Sequence, residues 1–258
     1  MRLSDRWMRQ VGTALVALGI DPRKLLHLGQ VGRFLGDRRR FLKAGGRIDH
    51  LMPMLADYDD QAGEARGHYF HQDLLVARLI HQASPARHID VGSRIDGFVA
   101  HVAAFRDIEI MDIRPLATVH SQIKVLRRDL MAKDPDLDQI TDSVSCLHAL
   151  EHFGLGRYGD RIDPDGHHKG FEALARMLKS GGMLYLSLPI GRERLYFNAH
   201  RVSEPGAVVS WAAERFEMVR FDFVDDAGDL HERQDLAAAE GLTYGCGIYS
   251  LRKLPDRT

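Results

Sequence analysis

The sequence predicts an α/β fold, an open and mostly parallel sheet preceded by a helical extension. Three observations predict it. His88-Ile89-Asp90-Val91-Gly92-Ser93-Arg94-Ile95-Asp96-Gly97-Phe98 reads as a buried strand, a tight glycine turn and the start of a helix. About twenty residues on, Ile108-Glu109-Ile110-Met111-Asp112 reads as a second strand with an acid at its tip, the spacing of a βαβ unit. Further apolar runs at 143–147, 183–189 and 245–251 are separated by helical patterns and polar loops. Such a unit holds a nucleotide-like ligand over the carboxyl ends of its strands.

The expected division is a helical extension over residues 1–85 and the α/β domain over 86–258. In the extension, Arg2, Arg6 and Arg9 precede an apolar run at 11–20, which is too short to span a bilayer and reads as an ordinary helix. Asp21-Pro22 opens a helix as cap and first turn. Residues 33–43 are basic with apolar spacing, either a solvated amphipathic helix or a surface for an anionic partner such as a phosphorylated substrate or a membrane. Phe70, Leu74, Ala77, Leu79 and Ile80 put a helix over 69–82, placed to pack on the sheet or cover a cleft, and Ser84-Pro85 stops it.

Strands are then expected at 87–91, 107–111, 123–127, 143–147, 183–189, 216–224 and 245–251, with helices at 97–105, 168–178 and 208–216. Lys179-Ser180-Gly181-Gly182 reads as a helix stop and turn, and 190–204 and 225–232 as polar loops.

The chain has 258 residues, 45% hydrophobic and 28% charged, enough for one sizeable core, and its formal net charge of −1 gives no basis for nucleic-acid binding. Cys146 and Cys246 lie in separate apolar stretches and are expected to be buried free thiols. No stretch reads as transmembrane, so the expected location is the cytoplasm, with peripheral membrane contact through the basic N-terminal arm and a homo-oligomer both compatible with the sequence.

Gly92 follows a strand, where a missing side chain lets a ligand approach the backbone. A full dinucleotide fingerprint would need glycine at 94 as well as at 97; Arg94 breaks it. Asp112 can accept both hydroxyls of a ribose, which NAD and S-adenosylmethionine share. Asp129, after the third strand, can accept an adenine amino group.

The order Asp90-x-Gly92, Asp112, Asp129, Asp142-Ser-Val-x-Cys-x-His-x-Leu-Glu-His152, then Leu178-Lys-x-Gly-Gly-Met-Leu-Tyr-Leu-Ser-Leu-Pro189 resembles the class I S-adenosylmethionine-dependent methyltransferases, and more narrowly DUF268, a little-characterised family similar to them. The resemblance covers roughly residues 87–225. It implies a Rossmann-like, seven-stranded, mostly parallel sheet whose last strand is antiparallel, with S-adenosylmethionine as cofactor. It implies that Asp90, Gly92, Ser93 and Arg94 surround the methionine part, that Asp112 holds the ribose, that Asp129 and Leu130 lie on the adenine side, and that Leu147 and His148 lie beneath the methylthio group. Arg94 and Asp96 stand where the family has glycines, so Arg94 either pairs with the cofactor carboxylate or a nearby acid, or narrows the pocket.

His148, Glu151 and His152 follow the fourth strand. His152 is either the base that takes a proton from an acceptor hydroxyl or half of a structural pair with Glu151. The loop over 158–170 carries Asp160, Asp163, Asp165, His167 and His168. These can grip sugar hydroxyls, hold Mg2+ or Mn2+, or form a charged surface, and His167 is a second candidate base. His200 and Arg201, after the fifth strand, are candidate substrate contacts.

The expected function is therefore O-methylation of a sugar or glycan hydroxyl, with His152 or His167 as base and Glu151, Asp160, Asp163, His168, His200 and Arg201 around the acceptor. The link to polysaccharide biosynthesis comes from the resembled family, whose bacterial members are associated with surface-polysaccharide loci. Two alternatives are a non-catalytic cofactor-binding or scaffold protein and a NAD-dependent sugar-nucleotide enzyme; the latter lacks its glycine fingerprint and its Tyr-x-x-x-Lys pair.

Overall fold

The computed structural model describes residues 27–59, 63–116 and 120–255. The expected helices at 11–20 and from Asp21-Pro22 lie outside the described residues. The chain divides into two compact units, Met1–Glu64 and Ala65–Thr258. In the first, helix α1 (Val31–Lys43) buries none of its residues and carries Arg40 and Lys43 in its last turn, where they complement the helix dipole. Within it, Asp37 pairs with Arg40 and accepts a hydrogen bond from the Tyr58 hydroxyl at 2.9 Å. No helix among the described residues is long and apolar enough to cross a membrane.

The second unit opens with α2 (His68–Ala83), which ends at Ser84 in the left-handed conformation. Its sheet contains β1 (His88–Val91), β2 (Ile108–Asp112), β3 (Ile123–Arg127), β4 (Thr141–Leu147), β5 (Leu178–Ile190), β8 (Phe216–Val224), β9 (Leu230–His231) and β10 (Gly245–Lys253). The strand order is β3-β2-β1-β4-β5-β10-β8-β9. The strands from β3 to β5 pair in parallel, whereas β10 runs antiparallel to both neighbours. This is the expected seven-stranded pattern with one addition, the two-residue β9, which forms inside the expected loop at 225–232 by pairing with Phe223 and Val224.

β1 is buried at all four positions because helices cover both sheet faces, while edge strand β3 has no fully buried residue. One face packs Ile89, Val91, Val144 and Leu186 against Phe171, Leu174 and Met177 of α4 (Gly166–Met177). The other packs Ile108, Ile110 and Tyr185 against Leu75, Val76 and Ile80 of α2 and against Val102 of α3 (Ala100–Ala103).

Four further expectations are corrected. The helix expected at 97–105 is a π-turn, Ile95–Val99, running into the short α3. Gly97 lies so close to α2 that a Cβ would sit 2.4 Å from the Asp73 carboxylate, and a wide turn leaves room for that acid. Residues 179–182 are not a turn ahead of β5 but an irregularity within it, where the register against β4 shifts and Gly181 takes φ +79°. The loop at 190–204 contains a hairpin, β6 (Arg194–Tyr196) and β7 (His200–Val202). The helix expected at 208–216 is the shorter α5 (Ala207–Ala212). Cys146 and Cys246 are buried free thiols.

Five buried or half-buried histidines give the fold a pH dependence. Burial holds His88 down to about 3 and His68 and His167 each to about 4, and lowers His152 and His200 as well. An unfolded histidine titrates near 6.5, so these groups contribute stability that is full above about pH 6.5 and lost as pH falls toward 4. Burial raises Asp73 and Asp90 to about 6, and the Cys246 sulfur and the Glu151 carboxylate raise His148; these three oppose the trend in the same window without matching the five lowered histidines. Denaturant midpoints at pH 7 and pH 5 should show a loss of about 2 kcal/mol at the lower pH; a gain would contradict this account.

Candidate functional site

A cleft of about 710 Å³ opens at the carboxyl ends of β1, β2 and β4. Gly92 forms its floor at φ +70°, with its N–H donating to the Met111 carbonyl at 3.0 Å. A Cβ there would lie 3.0 Å from the Ala149 methyl, so the close approach of the two strand ends requires glycine.

Asp90 builds this floor from below. Its carboxylate accepts from the hydroxyls of Ser93 and Ser145, each at 2.6 Å, and from the Ser93 N–H at 3.1 Å. The Ser93 hydroxyl in turn accepts from the Leu147 N–H at 3.1 Å. Asp90 is thus fully buried and orders the turn; Ser93 and Leu147 tie the turn to β4 and line the cleft. Arg94 points along the rim, paired with Asp96 at 3.1 Å and stacked 4.9 Å over the Tyr69 ring of α2.

Asp112 stands at the tip of β2, between the main cleft and an apolar lobe walled by Met111, Ile113, Leu130, Met131, Ala149 and Phe153. Both of its carboxylate oxygens accept from the Arg114 guanidinium, at 2.6 and 3.0 Å, and that guanidinium lies 4.4 Å over the Tyr158 ring. Asp129 accepts from the Met131 N–H at 2.9 Å and so presents Leu130 and Met131 to the lobe.

His148 takes φ +49° after β4, and its ring packs against the rings of His68 and Tyr69. Its Nδ1 lies 2.8 Å from Glu151 Oε1, and both side chains are buried. Burial pushes the His148 pKa down, but the Cys246 sulfur and the Glu151 carboxylate outweigh it, and the net shift is upward. Burial alone would raise Glu151; His148 beside it holds it low. His148 Nε2 and Glu151 Oε2 are buried with no hydrogen-bond partner.

His152 follows on a short 3-10 turn, Leu150–His152. Its Nδ1–H donates to the Ala199 carbonyl at 2.6 Å, which fixes Nε2 as the basic nitrogen, and the Arg157 guanidinium lies 3.4 Å from Nε2. Burial lowers its pKa, so the ring is neutral near pH 7, and it lines the cleft. His200 lines the same cleft from β7, with its buried Nε2 unpartnered.

Other expected site residues serve the loops. Asp160 accepts from the N–H groups of Gly154, Gly156 and Tyr158, at 2.8 to 3.2 Å. Asp163 pairs with Lys169 and accepts from the Asp165 N–H. These acids hold their own backbone rather than converging on an ion. Arg201 donates to the carbonyls of Glu151, Phe153 and Pro164, at 3.3, 2.7 and 3.0 Å, and clamps the two loops after β4 together. Arg201→Ala should therefore cost about 2–4 kcal/mol of stability in denaturant unfolding; an unchanged midpoint would leave the clamp without energetic weight. His167 and His168 lie against Trp211 beside Arg201, in a separate depression outside the cleft, so His167 is not placed to act on a ligand held there.

The structure also brings in residues that the sequence reading left out. Arg114, Arg157 and Tyr244 line the cleft together with Tyr69 and Tyr158. Arg114, two residues past the strand-tip acid, could have been found by that spacing; Tyr244, far along the chain, carries no local signal.

Residues 121–220 match a family described as Caenorhabditis protein of unknown function, DUF268. No curated protein matches the sequence. Among solved structures, the chain is similar to a putative sarcosine dimethylglycine methyltransferase from Galdieria sulphuraria, at 18% identity and TM-score 0.52, covering 84% of this chain and 98% of that one. It is also similar to the 1,6-didemethyltoxoflavin-N1-methyltransferase of Burkholderia thailandensis, solved with S-adenosylhomocysteine, at 15% identity and TM-score 0.51, covering 71% and 78%. The [4+2]-cyclase SpnF is similar at 14% identity and TM-score 0.51, covering 75% and 86%. At these identities the likeness fixes the fold, and the cyclase among them shows that the fold alone does not fix the reaction. The chain has the class I, Rossmann-like methyltransferase fold, and its residues 121–220 match the DUF268 family model.

Proposed function

We propose that the protein is an S-adenosylmethionine-dependent methyltransferase acting on a hydroxyl of a sugar or glycan. The observation that carries this reading is the placement of Asp112 at the β2 tip, between an apolar lobe that suits an adenine ring and a polar cleft containing a neutral His152. Gly92, Ser93 and Arg94 would face the methionine end, Asp112 the ribose, Asp129 and Leu130 the adenine, and Leu147 and His148 the methyl-bearing sulfur. The floor at Gly92, which a Cβ would fill, fits a ligand lying directly on the backbone.

S-adenosylmethionine supplies an electrophilic methyl group on a sulfonium. The part of this chain is to orient the acceptor and take its proton. His152 Nε2 would take and hold the proton that the acceptor hydroxyl gives up. Glu151 Oε2 and His200 Nε2 offer unpartnered polar atoms, and the rings of Tyr69, Tyr158 and Tyr244 offer stacking faces, a combination that suits a sugar. The protein would act in the cytoplasm on soluble precursors of surface glycans.

A second reading, a non-catalytic cofactor-binding or scaffold protein, is favoured by one observation: Arg114 already holds both oxygens of Asp112. Incubation with S-adenosylmethionine and a panel of sugar nucleotides and glycans separates the two. The enzyme reading expects an acceptor that gains one methyl group by mass spectrometry. Cofactor binding with no product from any hydroxyl acceptor would favour the second reading.

A further inference from the structure

The donor atoms of His68, His148 and Cys246 all lie within 4.8 Å of one another, brought together from the first turn of α2, the end of β4 and the start of β10. It is the one such group of three metal-ligand side chains among the described residues, and it contains no residue of the 158–170 loop. His148 Nε2 is buried and has no hydrogen-bond partner. Its Nδ1 is engaged by Glu151 at 2.8 Å, the carboxylate–histidine arrangement that orients a ring to present its other nitrogen to a metal.

Cys246 Sγ is fully buried, with long contacts of 3.6 Å to Gln72 Oε1 and 3.8 Å to the Gly247 carbonyl, and it faces the His148 ring. Gln72 keeps a 2.5 Å bond from the Ser187 hydroxyl if the thiol proton is lost. The His68 ring lies 5.2 Å from the His148 ring and nearly parallel to it, and one of its nitrogens bonds to the Tyr244 backbone.

We propose that His68, His148 and Cys246 bind a transition-metal cation of the Zn2+ type, with Glu151 as the outer partner that fixes His148. Two imidazoles and a thiolate are soft to borderline donors that disfavour Mg2+ and Ca2+ and suit Zn2+ or Co2+. Tetrahedral zinc places its donors about 3.4–3.6 Å apart, so the group closes by about 1 Å on binding. Three protein ligands leave one coordination position for water or a ligand oxygen. Binding releases the Cys246 thiol proton to solvent, and the metal occupies His148 Nε2 in place of a proton. The inference does not depend on methyl transfer, since it concerns metal affinity alone.

The test uses the full chain stripped with a chelator and titrated with Zn2+ or Co2+ alone. One ion per chain is expected, and the cobalt form should show a thiolate-to-cobalt charge-transfer band. Cys246→Ser should abolish that band, His68→Ala should weaken zinc by about 100-fold or more, and Glu151→Gln by about 10–100-fold. Cys146→Ala should change none of these. A wild-type chain that binds no ion, or that binds cobalt without the thiolate band, overturns the proposal without use of any variant. So does a band that survives in Cys246→Ser.

Discussion

His152→Ala should lower kcat by about 10²–10⁴-fold, the usual contribution of a positioned general base, while leaving the affinity for S-adenosylhomocysteine within about twofold of wild type. The expectation rests on geometry. The Ala199 carbonyl accepts the Nδ1–H hydrogen bond at 2.6 Å, so Nε2 is the accepting nitrogen, with the Arg157 guanidinium 3.4 Å from it in the unliganded chain. Burial holds the ring neutral at pH 7 by lowering its pKa, with Glu151 opposing and Arg157 assisting. A base must be neutral to work, so kcat should be constant above about pH 6.5 and fall as pH drops through the lowered pKa. His152→Ala should remove this acid limb along with the rate. A variant that keeps more than a third of wild-type kcat would show that the ring only shapes the cleft.

Asp112→Ala should weaken S-adenosylhomocysteine binding by about 30- to 500-fold, the loss of two hydrogen bonds to a charged acceptor. The fold should survive, because the Asp112 side chain caps no core element and its partner Arg114 is half exposed. Arg114→Ala should act in the opposite direction. In the unliganded chain Arg114 must leave the carboxylate before a ribose can take it, and an exposed pair of this kind is worth about 0.2–1 kcal/mol. Its removal should therefore tighten binding by about two- to fivefold. Calorimetry on both variants checks the pair together; equal affinities in wild type and Asp112→Ala would place the ribose elsewhere.

The fold was legible because its signals are local. β1, β2 and β4 are short apolar runs ending at Gly92, Asp112 and His148, and each ends where the sequence placed it. The β6–β7 hairpin and β9 were not legible, since each strand is only two or three residues of mixed polar and apolar type and they are strands only by virtue of their partners. The site followed the same division. The turn at Gly92 and the tip at Asp112 follow from strand ends. Which acid is free and which is already committed does not: Asp160 and Asp163 read as ligands in sequence but are occupied by backbone N–H groups and Lys169. Arg201 read as a substrate contact because its segment follows the fifth strand at the sheet rim, and only the fold supplies the three carbonyls it serves. The His68–His148–Cys246 group spans nearly the whole α/β unit, and no local spacing announces it.

The most direct measurement is a calorimetric titration of the wild-type chain with S-adenosylhomocysteine, repeated in the presence of excess NAD. The account predicts saturable binding at one site per chain, displaced by S-adenosylmethionine and unaffected by NAD. Absence of binding, or displacement by NAD, would contradict it.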